Sequence, residues 1–260
     1  MKKYLKILAI SMKNSTTYFK DFVMGNVFIV LIICIYILLW KNLYSQDVRA
    51  GFTFKELIWY LIINEVVFFN NSDLFKKIET EIKSGNIAYH LNKPYSYPIY
   101  VLFDALGKNI LSFAINLVFG LVIGLVSVGH IPALNLVNFV PIIIMMLLGV
   151  TLNLLIYICI SLSSFWIEEN RPFIWVYRQF VFAFGGFLVP ITLFPKALYN
   201  ITLHMPWTYV AYHTANSSVK FDFGLFLNTA AWQIGYIIFF LALIMLIYRK
   251  GAEALNVNGG

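Results

Sequence analysis

Charge is what this sequence most lacks: only 12% of its 260 residues are Asp, Glu, Lys or Arg, while 60% are hydrophobic. A soluble domain of this size cannot bury so much apolar surface, which leaves a multi-span α-helical membrane protein. The two cysteines, Cys34 and Cys159, lie in uncharged apolar runs and offer neither a disulfide framework nor metal-ligand spacing. His90, His130, His204 and His213 are scattered, with no HxxxH pair and no carboxylate cluster beside them, so no metal site is expected. There is no GxxxxGK[ST] loop, HExxH, GxSxG elbow or paired aspartate cluster. The chain is therefore expected to be no enzyme and to hold no nucleotide by itself.

The net charge of +7 is read as loop charge retained on the cytoplasmic side, not as a nucleic-acid footprint. The opening MKKYLKILAISMKNSTTYFKD spreads lysines over its length without a small-residue cleavage site, which predicts a cytoplasmic amphipathic lead-in. Aromatic residues, at 18%, suit the two lipid–water boundaries.

Taken in order, the apolar runs predict six spans in a single transmembrane domain over residues 1–260, at about 22–40, 54–75, 99–128, 139–165, 173–190 and 229–248. Each approaches the roughly 20 residues that cross the hydrocarbon core. Under this topology Lys41, Arg49, Lys55, Lys196 and Lys220 lie outside and the other fourteen Lys and Arg lie inside, which places both termini in the cytoplasm. Span three is long enough to begin as an interfacial helix carrying Asp104 and Lys108, one turn apart and read as a local ion pair. A turn at 129–132 separates spans three and four.

Two stretches depart from simple spans. Residues 76–98 form the longest charged segment between spans, with Lys76, Lys77, Glu79, Glu81 and Lys83 set around Ile78 and Ile82, and Gly85 as a stop. This predicts a short amphipathic helix on the cytoplasmic face, either a solvated loop or a docking element. From Phe184 to Pro206, Gly185-Gly186 is followed by Pro190, Phe194, Pro195 and Pro206 in membrane-like sequence. No straight helix accommodates these prolines, and the freed carbonyls must be buried against protein or face a watered cavity. The expectation is a helix ending near Pro190, then short re-entrant or interfacial helices, with an ordinary apolar outer loop as the alternative.

Polar residues at membrane depth complete the candidates. Glu65 falls near the middle of span two, where an acid costs roughly 2.5–3.5 kcal/mol on insertion scales, and is read as either a pathway residue or a structural partner. Arg178 and Gln179, in the first turns of span five, line an inner vestibule or snorkel to the boundary. Asn116, Asn153 and Gln233 read as interhelical hydrogen-bonding groups.

This order of features resembles the permease subunits of ABC-2 type ABC exporters. The similarity is most specific at IETEIKSGNIAYHLNKPYSYP (78–98) and GGFLVPITLFPKALYNITLHMPWTY (185–209). It implies half of an ATP-driven exporter in the bacterial plasma membrane, pairing with a second copy or a paralogue and with separate ATPase subunits that bind ATP and Mg. It also implies that the helix from Lys76 to Gly85 is the coupling helix, that Glu168, Glu169 and Arg171 form a second ATPase contact, and that Pro190 to Pro206 form the outer gate. The outer loop after span one, about fifteen residues, departs from the subgroup with large extracellular domains. The cargo is expected to be amphiphilic: a drug or antibiotic, a peptide, or a lipid-like molecule including a lipid-linked glycan. An ion-coupled secondary transporter using Glu65 and a structural membrane scaffold are the competing readings.

Overall fold

A computed structural model describes residues 2–46, 48, 50–68, 74–91, 93–130 and 133–258. Among these residues the regular structure is all helical. The helices are α1 (Lys2–Ser15), α2 (Phe19–Ser45), α3 (Phe54–Phe68), α4 (Leu74–Lys83), α5 (Ile87–Leu91), α6 (Tyr97–Ser127), α7 (Leu136–Ser161), α8 (Arg171–Phe184), α9 (Lys196–Thr202), α10 (Pro206–Val210), α11 (Tyr212–Val219) and α12 (Phe223–Asn258). Single 3-10 turns lie at Thr16–Tyr18, Leu162–Phe165 and Ile191–Leu193.

Four of these segments are long and apolar enough to cross a membrane: Phe22–Ser45, Tyr97–Ser127, Leu136–Phe165 and Phe223–Glu253. They contain the expected spans one, four and six, and cover the third up to Ser127, one residue short of its expected end. At 1.5 Å per residue the 31 residues of α6 extend about 46 Å, against a hydrocarbon core of about 30 Å. The surplus is about three turns, and Asp104 lies within the first three turns of the helix with Lys108 at the start of the fourth. Helices α3 and α8, with 15 and 14 residues, reach only about 22 Å. Of the rest of expected span two, 69–73 lie outside the described residues, as do Arg49, Ile131 and Pro132, and Leu74 and Phe75 open α4 instead.

The expected fifth span ends earlier than its sequence indicates. Helix α8 stops at Phe184, six residues before Pro190, because Gly186 takes a φ of +75°. A Cβ on Gly186 would stand 2.9 Å from Tyr212 Cβ and 3.1 Å from the Tyr60 hydroxyl, so the turn needs both the left-handed backbone and the missing side chain. Beyond the break the chain is mostly helical, through α9, α10 and α11. The stretch from Trp207 towards Asn228 contributes buried Thr208, Tyr209, Thr214 and Ser218 to the core.

Helix α3 is the hub, with Leu57 to Phe68 buried without interruption. Its start is fixed by a reciprocal cap: the Thr53 amide donates to Glu56 Oε2 (2.7 Å) and the Glu56 amide to Thr53 Oγ1 (3.3 Å). Glycines let α6 approach closely: a Cβ at Gly120 would meet Ile62 at 2.8 Å, and one at Gly124 the Trp59 ring at 2.5 Å. Trp59 Nε1 then donates to the Gly129 carbonyl at 2.9 Å, which ties α3 to the turn after α6.

Helix α1 packs on the opening turns of α6 in the same manner. Replacing Gly107 with Ala would put a Cβ 2.4 Å from the Leu8 carbonyl oxygen. This substitution is expected to cost about 1–3 kcal/mol of stability. At Gly235 of α12 nothing lies within 4 Å of such a Cβ. Gly235→Ala should therefore leave the unfolding midpoint in detergent unchanged or slightly raised, and equal losses at the two glycines would contradict this packing.

Candidate functional site

Two regions carry the residues singled out in the sequence. The first is at the end of the bundle formed by α1, α4, α5 and the start of α6. Asp104, 7% exposed, accepts from Lys77 Nζ at 2.8 Å and from Lys108 Nζ at 3.0 Å through Oδ2, and from Ser11 Oγ at 2.5 Å through Oδ1. The expected local pair with Lys108 is thus present, and the same carboxylate also holds α1 and α4. Burial alone would lower the Lys77 pKa. The adjacent Asp104, helped by Tyr100 and Glu81, reverses this and keeps the ammonium above the ordinary lysine value.

Helix α4 is amphipathic, as its sequence predicts, but its acids turn inward. Leu74, Phe75, Ile78 and Ile82 are buried, and so is Glu79, paired with Lys83 at 2.5 Å. Glu81 accepts from the Tyr97 hydroxyl at 2.6 Å and lies 4.0 Å from both Lys77 and His90 Nε2. The His90 ring sits among Tyr95, Tyr97 and Tyr100, and burial holds its pKa below the ordinary value while Glu81 pulls the other way. What α4, the following turn and the start of α5 expose is Lys76, Thr80, Lys83, Ser84, Gly85, Asn86, Ala88 and Tyr89, the last 73% exposed.

Helix α4 packs on the lower end of α7 and on the turn Leu162–Phe165. That turn leads directly to Glu168 and Glu169, which are exposed, as is Arg171. The loop is braced from below by buried Asn170, whose Nδ2 donates to the Ser161 carbonyl at 2.8 Å and to Ser164 Oγ, and whose Oδ1 accepts from Ser163 Oγ at 2.9 Å. The two charged segments, some 80 residues apart in sequence, are therefore neighbours on one end of the bundle. Asn170 stands in the charged loop sequence with no signal of this role; a run of two serines before it is the only hint.

The second region is the break after α8. The Gly186 carbonyl accepts from the Tyr60 hydroxyl, the Phe187 carbonyl from Asn64 Nδ2 (3.4 Å), and the Gly185 carbonyl from the Tyr212 amide (3.2 Å). Tyr60, Asn64 and Phe68 recur at i, i+4 and i+8 on α3, and Phe68 packs edge-on against Phe187 at 5.3 Å. One stripe of α3 thus meets the carbonyls that the break sets free. Farther out, Thr192 Oγ1 donates to the Ala50 carbonyl (2.6 Å) and Lys220 Nζ to the Gly51 carbonyl (2.5 Å). Pro190 is buried and Phe194 partly buried, while Pro195 is exposed.

Glu65 does not join either region through hydrogen bonds. It is 1% exposed, and neither carboxylate oxygen has a hydrogen-bond partner among the described residues. Arg178 is half-buried, with Nε donating to the Tyr157 hydroxyl at 2.9 Å, and Gln179 is exposed. The interhelical polar residues do pair: Asn26 Nδ2 with Asn116 Oδ1 (2.9 Å), and the Tyr177 hydroxyl with Asn153 Oδ1 (2.7 Å). Gln233 Nε2 donates towards the Met145 and Tyr209 carbonyls and Thr214 Oγ1, joining α7, α10, α11 and α12.

A helical bundle with one broken helix, and an amphipathic helix seated against its charged end, is an arrangement that can be compared with known families. The profile of a family described as ABC-2 family transporter protein matches residues 28–259. The chain belongs to the ABC-2 transporter family. No curated protein matches it. As an ABC-2 family chain it is a multi-pass membrane transport subunit, and the matched range contains both α4 and the break after α8. Helix α1 lies outside it.

The Asp104 contacts give this ABC-2 subunit a measurable weak point. Asp104→Asn leaves Lys77 and Lys108 without their carboxylate and is expected to cost up to about 3 kcal/mol, the low end for a broken buried pair, since both amines keep some access to water. Lys108→Gln, at a half-exposed amine, is expected to cost about 0–1 kcal/mol. Thermal unfolding of both variants in detergent checks the order, and equal effects would contradict it.

Proposed function

We propose that this chain is the permease half of an ATP-driven exporter, with six spans and both termini in the cytoplasm. In this reading α3 belongs to the second span, and α8 makes a short fifth span that the break turns back before α12. The single observation that carries the proposal is the seating of amphipathic α4 on the α7 end beside the Glu168–Arg171 loop, within a chain of the ABC-2 family. Permeases of that family work with a separate ABC ATPase, which would carry the ATP and Mg that this chain has no motif to bind.

The coupling surface is then the outward face of α4 and its turn, with Lys76, Thr80, Lys83, Ser84, Gly85, Asn86 and Tyr89, next to Glu168, Glu169 and Arg171. Lys77, Glu79 and Glu81 belong to the same element but act from its inner side. Lys77 and Glu81 hold it on α6 through Asp104 and Tyr97, and Glu79 is buried beside Lys83 of the same helix, so that a push on α4 is delivered to the bundle and is not absorbed by a loose loop. A second copy or a paralogue completes the path. Exposed Phe173, Trp175, Val176 and Phe180 give α8 an apolar face for that partner or for lipid. Pro190, Phe194, Pro195 and Pro206, with Gly185 and Gly186, shape the outer gate, and an amphiphilic cargo suits a path with Phe194 at its outer end and Arg178 and Gln179 at its inner end. The buried carboxyl of Glu65, without a hydrogen-bond partner among the described residues, favours one second reading, ion-coupled transport with Glu65 as the proton site.

Affinity purification of the tagged protein in mild detergent tests the choice. An ABC ATPase is expected to co-purify and hydrolyse ATP, and Thr80→Arg/Tyr89→Ala, which alters only exposed positions, is expected to lose it while remaining folded. Recovery of the chain alone, with transport that follows the proton gradient and fails in Glu65→Gln, would replace the exporter reading with the ion-coupled one.

A further inference from the structure

Helix α1 has three distinct faces. Tyr4, Leu8, Ser11 and Ser15 recur at i, i+4, i+7 and i+11, the spacing of one helical stripe. This stripe is pinned to α6 and the segment before it. The Tyr4 hydroxyl accepts from the Ser96 amide (2.9 Å), the Tyr4 ring lies 5.6 Å from Phe103, the Leu8 carbonyl lies against Gly107, and Ser11 donates to Asp104. Next to it Leu5, Ala9 and Met12, at i, i+4 and i+7, make an exposed apolar flank, with Leu5 55% and Met12 40% exposed. Beyond that flank Lys2, Lys6 and Lys13, at i, i+4 and i+11, form an exposed basic stripe.

The sequence holds no Asp or Glu before Asp21. Among the described residues these lysines have no ion-pair partner. Their depth is fixed by α6: α1 lies against Ser96 and the opening turns of α6 up to Gly107, the surplus over the hydrocarbon thickness, and the apolar run of α2 begins at Phe22, about two turns after α1 ends. A helix held at the lipid–water boundary, with an apolar flank beside a lysine stripe, places its flank among acyl chains and its ammonium groups in the headgroup layer.

We propose that the Lys2, Lys6 and Lys13 face of α1 binds the headgroups of anionic phospholipids. Charge complementarity commits the surface to this occupant: three ammonium groups on one stripe, with no ion-pair partner among the described residues, meet a layer of phosphodiester anions, and Leu5, Ala9 and Met12 select a lipid over a soluble anion. Because Ser11 on the opposite face holds Asp104, lipid bound here also steadies the contact between α1 and the element carrying α4. The inference needs only the placement of α1 on α6 and stands apart from the choice between ATP-driven and ion-coupled transport.

The test uses the full-length protein, delipidated in detergent and titrated with acyl-tagged phosphatidylglycerol or phosphatidylcholine, with bound lipid read by fluorescence polarisation. Wild type is expected to prefer phosphatidylglycerol, to lose that preference as NaCl is raised, and to keep its bound lipid against an excess of inorganic phosphate. Lys2→Gln/Lys6→Gln/Lys13→Gln changes only exposed side chains and should weaken phosphatidylglycerol binding by about five-fold per lysine, on the order of 100-fold in all. Lys41→Gln/Lys55→Gln/Lys196→Gln removes the same charge elsewhere and should bind as wild type does. The proposal is overturned if phosphatidylglycerol binds no better than phosphatidylcholine, if the α1 variant binds as wild type, if both triple variants lose binding equally, or if inorganic phosphate displaces the lipid.

Discussion

The carboxylate of Asp104 joins parts of the chain that share no local sequence: Ser11 of α1, Lys77 of α4 and Lys108 on its own helix. A carboxylate that is almost wholly buried is stable as an anion only when its lone pairs are met by donors. Here two ammonium groups and a hydroxyl meet them. The consequence is mechanical. Helix α4 would otherwise be an amphipathic segment lying on an apolar end of the bundle, free to rotate or lift. With Lys77 anchored at Asp104, Glu81 at Tyr97 and Glu79 sunk beside Lys83, its orientation is set, and so is the choice of residues it shows to the outside.

The opposite end of the molecule is governed by a different constraint. In lipid an unsatisfied carbonyl costs several kcal/mol, so a helix can break only where something else supplies the donors. Tyr60 and Asn64 supply them at Gly186 and Phe187, and the Tyr212 amide supplies one at Gly185. Gln233 does the same for the returning helices. The break and the helix behind it are therefore a single unit, and α3, which carries Tyr60 and Asn64, connects the break to the end where α4 sits.

Much of this was legible in the sequence, and for a physical reason. A run of twenty uncharged apolar residues has few folding outcomes, so four of the expected spans appear as helices around the expected positions, and Gly185-Gly186 marks the break. The location of the helix end was not legible. Prolines pointed to Pro190, whereas the backbone turns at Gly186, because Tyr60 and Tyr212 crowd that position from elsewhere in the chain. Asp104 shows the same division. Its pairing with Lys108 follows from a spacing of four residues, whereas Lys77 and Ser11 lie 27 and 93 residues away and carry no local signature. Charge pattern predicted that α4 would be amphipathic. It could not predict that Glu79 and Glu81 would face the bundle, since an acid on a helix reads as a solvated group until its partners, Tyr97 among them, are placed.

If Asp104 holds α1 and α4 on the bundle, the two helices must loosen together when it is neutralised. Hydrogen exchange of Asp104→Asn against wild type, in the same detergent, reads this directly. Faster exchange in both 2–15 and 74–83, with 136–161 unchanged, is the result expected from the structure. Unchanged exchange in 74–83 would contradict it, because α4 would then owe its placement to its apolar face alone.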